Sequence, residues 1–153
     1  MRSFNTRWMY GWEVEMNRMG EEILAIRQYD GEGYRPLIDF KSWRVAMLRW
    51  APYMTVDQLD SMERHTQTDE VFVLLQGSAS LVLGGNGSRV GGLSVYEMEG
   101  GKLYNVRQNA WHAVWMSQDA LILIIEESNT GDGNSEYCQL PEDLRKEIIK
   151  ISG

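Results

Sequence analysis

From residue 70 onward, apolar and polar side chains alternate in short runs parted by glycine and asparagine clusters, which is the pattern of antiparallel strands rather than of helices. The runs predict strands over 70–76, 79–83, 94–98, 111–116 and 120–126. A two-residue period sends Glu70, Phe72 and Leu74 to one face of the first strand, and Val71 and Val73 to the other. By the same count His112 shares a face with Val114 and Met116, while Trp115 faces away. Between the second and third strands, Gly84-Gly85-Asn86-Gly87-Ser88 offers an Asn-Gly pair able to take the positive backbone dihedrals of a tight hairpin. A phosphate cradle would need those glycines to open a helix, and no helical pattern follows them.

Upstream, 22–29 and 43–50 read as two further strands, separated by the turn-forming Asp30-Gly31-Glu32-Gly33 and by Pro36. Thr55 and Gln58 have the spacing of a capping box, enough for one helical turn before Glu63. A C-terminal helix starts at Pro141, carries Glu142 and Asp143 in its first turn, sets Leu144 and Ile148 one turn apart, and reaches Lys150. It is expected to pack outside the strands. The sum is an all-β chain, an antiparallel sandwich or barrel with one short helix. With no repeat or proline-rich linker to divide it, a single domain over 1–153 is expected, with N-terminal strands and dimer contacts in 1–52, a barrel core in 53–128, and a tail and helix in 129–153.

Charge narrows the partners. The 22 acidic and 15 basic residues leave a formal charge of -7, which repels phosphate backbones and anionic membranes, so neither nucleic acid nor membrane is expected. Arg44, Arg49 and Arg64 could each hold a small anion locally but are expected to be solvated. Cys138, the single cysteine, can form no internal disulfide, and its polar C-terminal surroundings give it no histidine partner for nucleophilic chemistry. No apolar run has the length of a signal peptide or a membrane span, and the expected location is the cytoplasm. Six tryptophans point to an aromatic-rich interior or an apolar surface shared by two subunits; with exposed edge strands, a homodimer is expected.

The chain has only two histidines, His65 and His112, each at a strand edge. An interior Glu70 among apolar neighbours is costly to ionise unless a cation or hydrogen bonds compensate, and a divalent metal held by imidazoles would do so. The stretches ERHTQTDEVFVLLQG and GKLYNVRQNAWHAVWM resemble the paired motifs of the cupins. His65, Glu70 and Gly77 stand at their expected places in the first motif, with Glu63 where the family has a histidine. The second motif keeps Gly101 and His112 but carries Arg107, Asn109 and Met116 at its other positions.

The resemblance implies a cupin-type jelly-roll barrel with a metal at its mouth, held by His65, Glu70, His112 and, in the altered position, Glu63. Two imidazoles and two carboxylates suit manganese, iron or zinc. No organic cofactor is expected. Gln67, Phe72, Tyr104, Met116 and Arg49 are candidates to line a small-molecule pocket, Arg49 by pairing a ligand carboxylate; Trp111 is a further apolar candidate. The resemblance leaves two functions open: a metal-dependent enzyme of lyase, isomerase or oxygenase type acting on a small polar metabolite, or a metal-free binding module in which the same side chains form a hydrogen-bonded cluster. Within the enzyme class, YNVRQNAWHAV is similar to the histidine-bearing strand of the ureidoglycolate lyases.

Overall fold

A computed structural model of the protein describes residues 23–153. Ten strands form two five-stranded sheets, and every neighbouring pair is antiparallel. The strands are β1 (Gly33–Phe40), β2 (Trp43–Arg49), β3 (Ser61–His65), β4 (Glu70–Gln76), β5 (Ala79–Leu83), β6 (Ser94–Glu97), β7 (Tyr104–Val106), β8 (His112–Met116), β9 (Leu121–Glu127) and β10 (Ser135–Gln139). The first sheet runs β1-β2-β9-β4-β7 and the second β10-β3-β8-β5-β6. Strands distant in sequence are neighbours in both sheets: β2 pairs with β9, and β10 pairs with β3.

Alternation explains the core. In β4, Glu70, Phe72 and Leu74 are buried, as the two-residue period requires. Leu48, Ile122, Ile124, Leu81 and Met116 join Phe72 and Leu74 between the sheets. A second apolar cluster lies on the opposite face of the second sheet, where Met62, Val82, Trp111 and Leu140 meet Ile148 of helix α1 (Glu142–Ser152). The helix thus packs outside the barrel, and β5 is buried on both faces because the helix and neighbouring loops cover the side turned from the core.

Several expectations are corrected. Residues 23–29 form no strand; Ile23, Leu24 and Ile26 break the two-residue alternation and are exposed, and among the described residues β1 is the edge of its sheet and pairs with β2 alone. Glu22, the remaining residue of that expected strand, lies outside the described residues. The first described strand instead runs through Pro36, which an edge strand tolerates, with a register shift between Pro36 and Ile38. β3, β7 and β10 were not expected; they are three to five residues long and partly polar. The link from β5 to β6 is a long loop rather than a tight hairpin: Leu83 pairs with Ser94, Gly85 rather than Asn86 takes the positive φ, and Gly87 accepts a bond from the Trp111 indole. No helix among the described residues is long and apolar enough to cross a membrane.

Candidate functional site

The two sheets deliver their polar side chains to one end of the interior. On β3, Glu63 and His65 face inward; Glu63 lies opposite His112 of β8 on one side and Tyr137 of β10 on the other. The turn before β8 is fixed by Asn109, whose φ of 65° is left-handed and whose amide donates to the His65 carbonyl at 2.8 Å. Asparagine tolerates this conformation, so it can stand at a glycine position of the motif. From the facing sheet, β4 contributes Glu70, and β9 contributes Glu126 on the same face as Ile122 and Ile124.

Glu70 is the hub. Its Oε2 lies 2.9 Å from His65 Nε2 and 2.9 Å from His112 Nε2, and all three residues are buried. The imidazoles are 5.3 Å apart between centroids, and Phe72 meets His112 edge-on at 5.8 Å. His65 Nδ1 pairs with Ser135 Oγ at 2.8 Å. His112 Nδ1 lies 2.9 Å from the Ala110 carbonyl, an acceptor only, so Nδ1 carries a proton and donates it. In the neutral ring Nε2 is then a lone pair, and it has no aligned hydrogen-bond partner although it is close to a carboxylate oxygen. Two electron-rich atoms at that distance repel unless a positive group lies between them, and either a proton on Nε2 or a metal ion fills that role.

The donors fit a metal. Glu63, His65 and His112 offer ligand atoms all within 4.8 Å of one another, and so do His65, Glu70 and Glu126. With metal–ligand bonds of about 2.1 Å, two ligands at right angles sit about 3.0 Å apart, close to the spacing found between Glu70 and each imidazole. This oxygen and imidazole set could hold a divalent ion without selecting one.

Burial and mutual charge set the protonation states. Burial alone would raise the Glu70 carboxyl, but the closeness and charge of His112 and then of His65, which hydrogen-bonds it, outweigh it and bring its pKa down to about 2. Both imidazoles are lowered by burial and raised more strongly by Glu70, so each titrates above its ordinary value. Burial pushes the Glu63 carboxyl up; His112 opposes the shift and the Glu70 charge adds to it. Glu126 is raised chiefly by burial, while the Tyr34 hydroxyl that donates to it works the other way.

These groups line a cavity of about 640 Å³ whose apolar wall includes Leu48, Met54, Phe72, Val114 and Ile124. Five of the expected site residues therefore come together there: Glu63, His65, Glu70, His112 and Phe72. Four others do not line it. Gln67 is exposed and accepts from Asn134. Arg49 shares the outer face of β2 with Val45 and Met47, opposite in parity to buried Ala46 and Leu48, and reaches the Tyr29 carbonyl. The Tyr104 hydroxyl is taken up by the Glu99 amide and the Glu97 carbonyl, and Met116 belongs to the packed core. Trp111 is buried in the outer cluster with Arg64 above its ring.

Nor are Arg44 and Arg64 solvated. Arg44 bonds Asp39, Ser128 and Thr130, and Arg64 bonds Glu136 and Gly87. Two site residues escaped sequence reasoning. Glu126 was legible in principle, because it continues the inward alternation of Ile122 and Ile124 by the logic applied to Glu70. Tyr34 was not, since it lies on the strand hidden by Pro36.

Comparison with protein-family models finds no match, and comparison with curated proteins finds none either. Solved structures do match. The capsular polysaccharide assembling protein CapF from Staphylococcus aureus is similar over 75% of this chain at 12% identity, with a TM-score of 0.53; the match spans 34% of CapF. A tyrosine-to-phenylalanine variant of Streptomyces PAC13 with uridine matches 81% of this chain and 98% of its own at 9% identity and a TM-score of 0.50. A cupin-2 domain containing protein from Shewanella frigidimarina matches 78% of this chain and 98% of its own at 15% identity and a TM-score of 0.46. Such identities speak to fold alone; the matches with TM-scores of 0.50 and 0.53 and the order of the strands give a jelly-roll barrel of two antiparallel sheets, the fold that the cupin resemblance implies.

Proposed function

We propose that this chain binds a small polar metabolite in the barrel cavity beside a divalent transition metal, manganese, iron or zinc, and acts there as a metal-dependent enzyme. His65, Glu70 and His112 would hold the ion, with Glu63 or Glu126 completing the set. One observation carries the reading: buried His112 Nε2 has no aligned partner, while Nδ1 is committed to the Ala110 carbonyl. That is how a barrel presents a lone pair to a cation, the second ring nitrogen fixing tautomer and orientation.

A bound ion would polarise a carbonyl or hydroxyl of the metabolite. The chain's own residues do the rest. Phe72 and Ile124 keep water from one side of the group being polarised, and Ser135 orients the His65 ring. Tyr34, donating its hydroxyl to buried Glu126, holds a proton at the cavity wall. Elemental analysis of protein purified without chelator is expected to find a transition metal near one equivalent, and His112→Ala to lose it while remaining folded. Only trace metal in the parent protein would discard the reading.

A second reading rests on Glu70. With both imidazoles raised and Glu70 ionised, a proton satisfies His112 Nε2 equally well, and the barrel would then be a metal-free binding module. Metal content near zero together with ligand binding supports it. In either case we infer a cytoplasmic homodimer as the assembly.

A further inference from the structure

The charge of the cavity speaks to what enters it. Among the described residues five carboxylates line it, Glu63, Glu70 and Glu126 in its depth and Asp60 and Asp132 at exposed positions, and no lysine or arginine does. Counting both histidines as cations still leaves the acids in excess, and so does adding the charge of one divalent ion to neutral rings. Arg44, 3.9 Å from Glu126, lies behind that residue with its guanidinium spent on Asp39, Ser128 and Thr130. Arg49, the residue that would have paired a ligand carboxylate, is on the outer face of the sheet.

An anion entering would lose its hydration without meeting a cationic side chain. A ligand bringing N–H or O–H donors would find carboxylate acceptors and the faces of Tyr53 and Tyr137, both well exposed where they line the cavity. The acids do not stand alone as a sign of a ligand site: the unpartnered nitrogen of His112, a residue 2% exposed, also lines the cavity.

We propose that the cavity selects donor-rich molecules free of negative charge, amines and polyols, and excludes carboxylates and phosphates. This deepens the reading of the cavity as the ligand site but does not depend on the ion. It runs against the ureidoglycolate resemblance, whose substrate is an acid; urea release from that substrate is expected to be absent.

Three probes on one skeleton test it: benzylammonium, benzyl alcohol and benzoate, titrated into protein with methyl-labelled Met54, which lines the cavity. Benzylammonium is expected to shift this methyl signal with an affinity at least about tenfold above that of benzoate, the least expected for a difference of two unit charges in this setting, and benzyl alcohol to fall between. Asp60→Asn with Asp132→Asn, both at exposed positions, is expected to narrow the gap without unfolding the barrel.

Benzoate binding as tightly as benzylammonium, or no response to any of the three, would overturn the proposal. Run on chelated and on zinc-loaded protein, the titration separates the two ideas. Failure to take up zinc with the order of probes intact removes the metal alone, whereas zinc uptake with the order reversed removes the charge selection alone.

Discussion

Glu70 joins the two sheets through both histidines, and the pH behaviour of the chelated protein should follow from that one carboxylate. His65 and His112 titrate above the ordinary 6.5, so their contribution to stability is complete below that pH and is lost as pH rises through their raised values. Glu63 and Glu126, raised above the usual 4.5, act in the same direction, because each must give up its proton at a cost when the pH climbs past its unfolded value. Glu70 has the opposite sign: its contribution is complete above 4.5 and disappears as pH falls through about 2. Urea denaturation of chelated protein across pH is therefore expected to show a maximum in the mildly acidic range between those reference values, with a decline above it. Glu70→Gln should flatten the alkaline decline, because it removes the charge that raises both imidazoles. An alkaline limb of equal steepness in that variant would show that Glu70 is not the source. Metal loading should reverse the decline, since a metal binds the deprotonated ring nitrogens.

At the scale of elements, strands were legible where both sides of the pleat carried consistent side chains. β4 and β5 match the expected bounds, and β2, β6, β8 and β9 differ by a residue or so, because alternation and branched side chains agree in each. β1 was hidden because Pro36 argues against a strand until its edge position is known, and edge position is a property of the assembled sheet. β3 and β10 pair chiefly with each other through short, partly polar segments, so their identity lies in their pairing. His65, Glu70 and His112 could be found because an ionisable residue at an inward position is rare and costly. The cavity wall, by contrast, depends on how the sheets curve, and only Phe72 of the five expected ligand residues lies on it. Helix α1 was read correctly from its apolar spacing, and its energetic role is specific: Ile148, 1% exposed, closes the cluster around Met62, Val82 and Trp111. Ile148→Ala is expected to cost about 2–5 kcal/mol in chemical denaturation, the range for large-to-small changes in a packed core, with metal content unchanged. A loss below ~1 kcal/mol would mean that the helix is only loosely attached.

The whole molecule is asymmetric in how its two sheets are covered. Helix α1 and loops cover the outer side of the second sheet, but on the first sheet Phe40, Trp43, Leu75 and Ile125 are exposed, with Val45, Met47, Val71 and Leu123 half-buried among them. Phe40 and Trp43 meet with ring centroids 5.8 Å apart beside edge strand β1. None of these eight residues is charged, in a chain whose formal charge is -7. Two copies of such an acidic protein repel over most of their surface, and this apolar stretch, with exposed Glu127 beside Trp43 at its end, is where they can approach with little opposing charge. Depletion of charge combined with aromatic residues is the composition of an interface core, and a second copy matches it in both respects. A homodimer through this face leaves the cavity free, because the cavity opens from the interior side of the same sheet. Light scattering coupled to gel filtration should therefore give twice the 17.6 kDa of the chain, and Trp43→Lys together with Ile125→Lys should halve that mass while leaving the far-ultraviolet spectrum and metal content as they were. A parent protein that stays at the single-chain mass at all accessible concentrations would assign the exposed face to some other purpose.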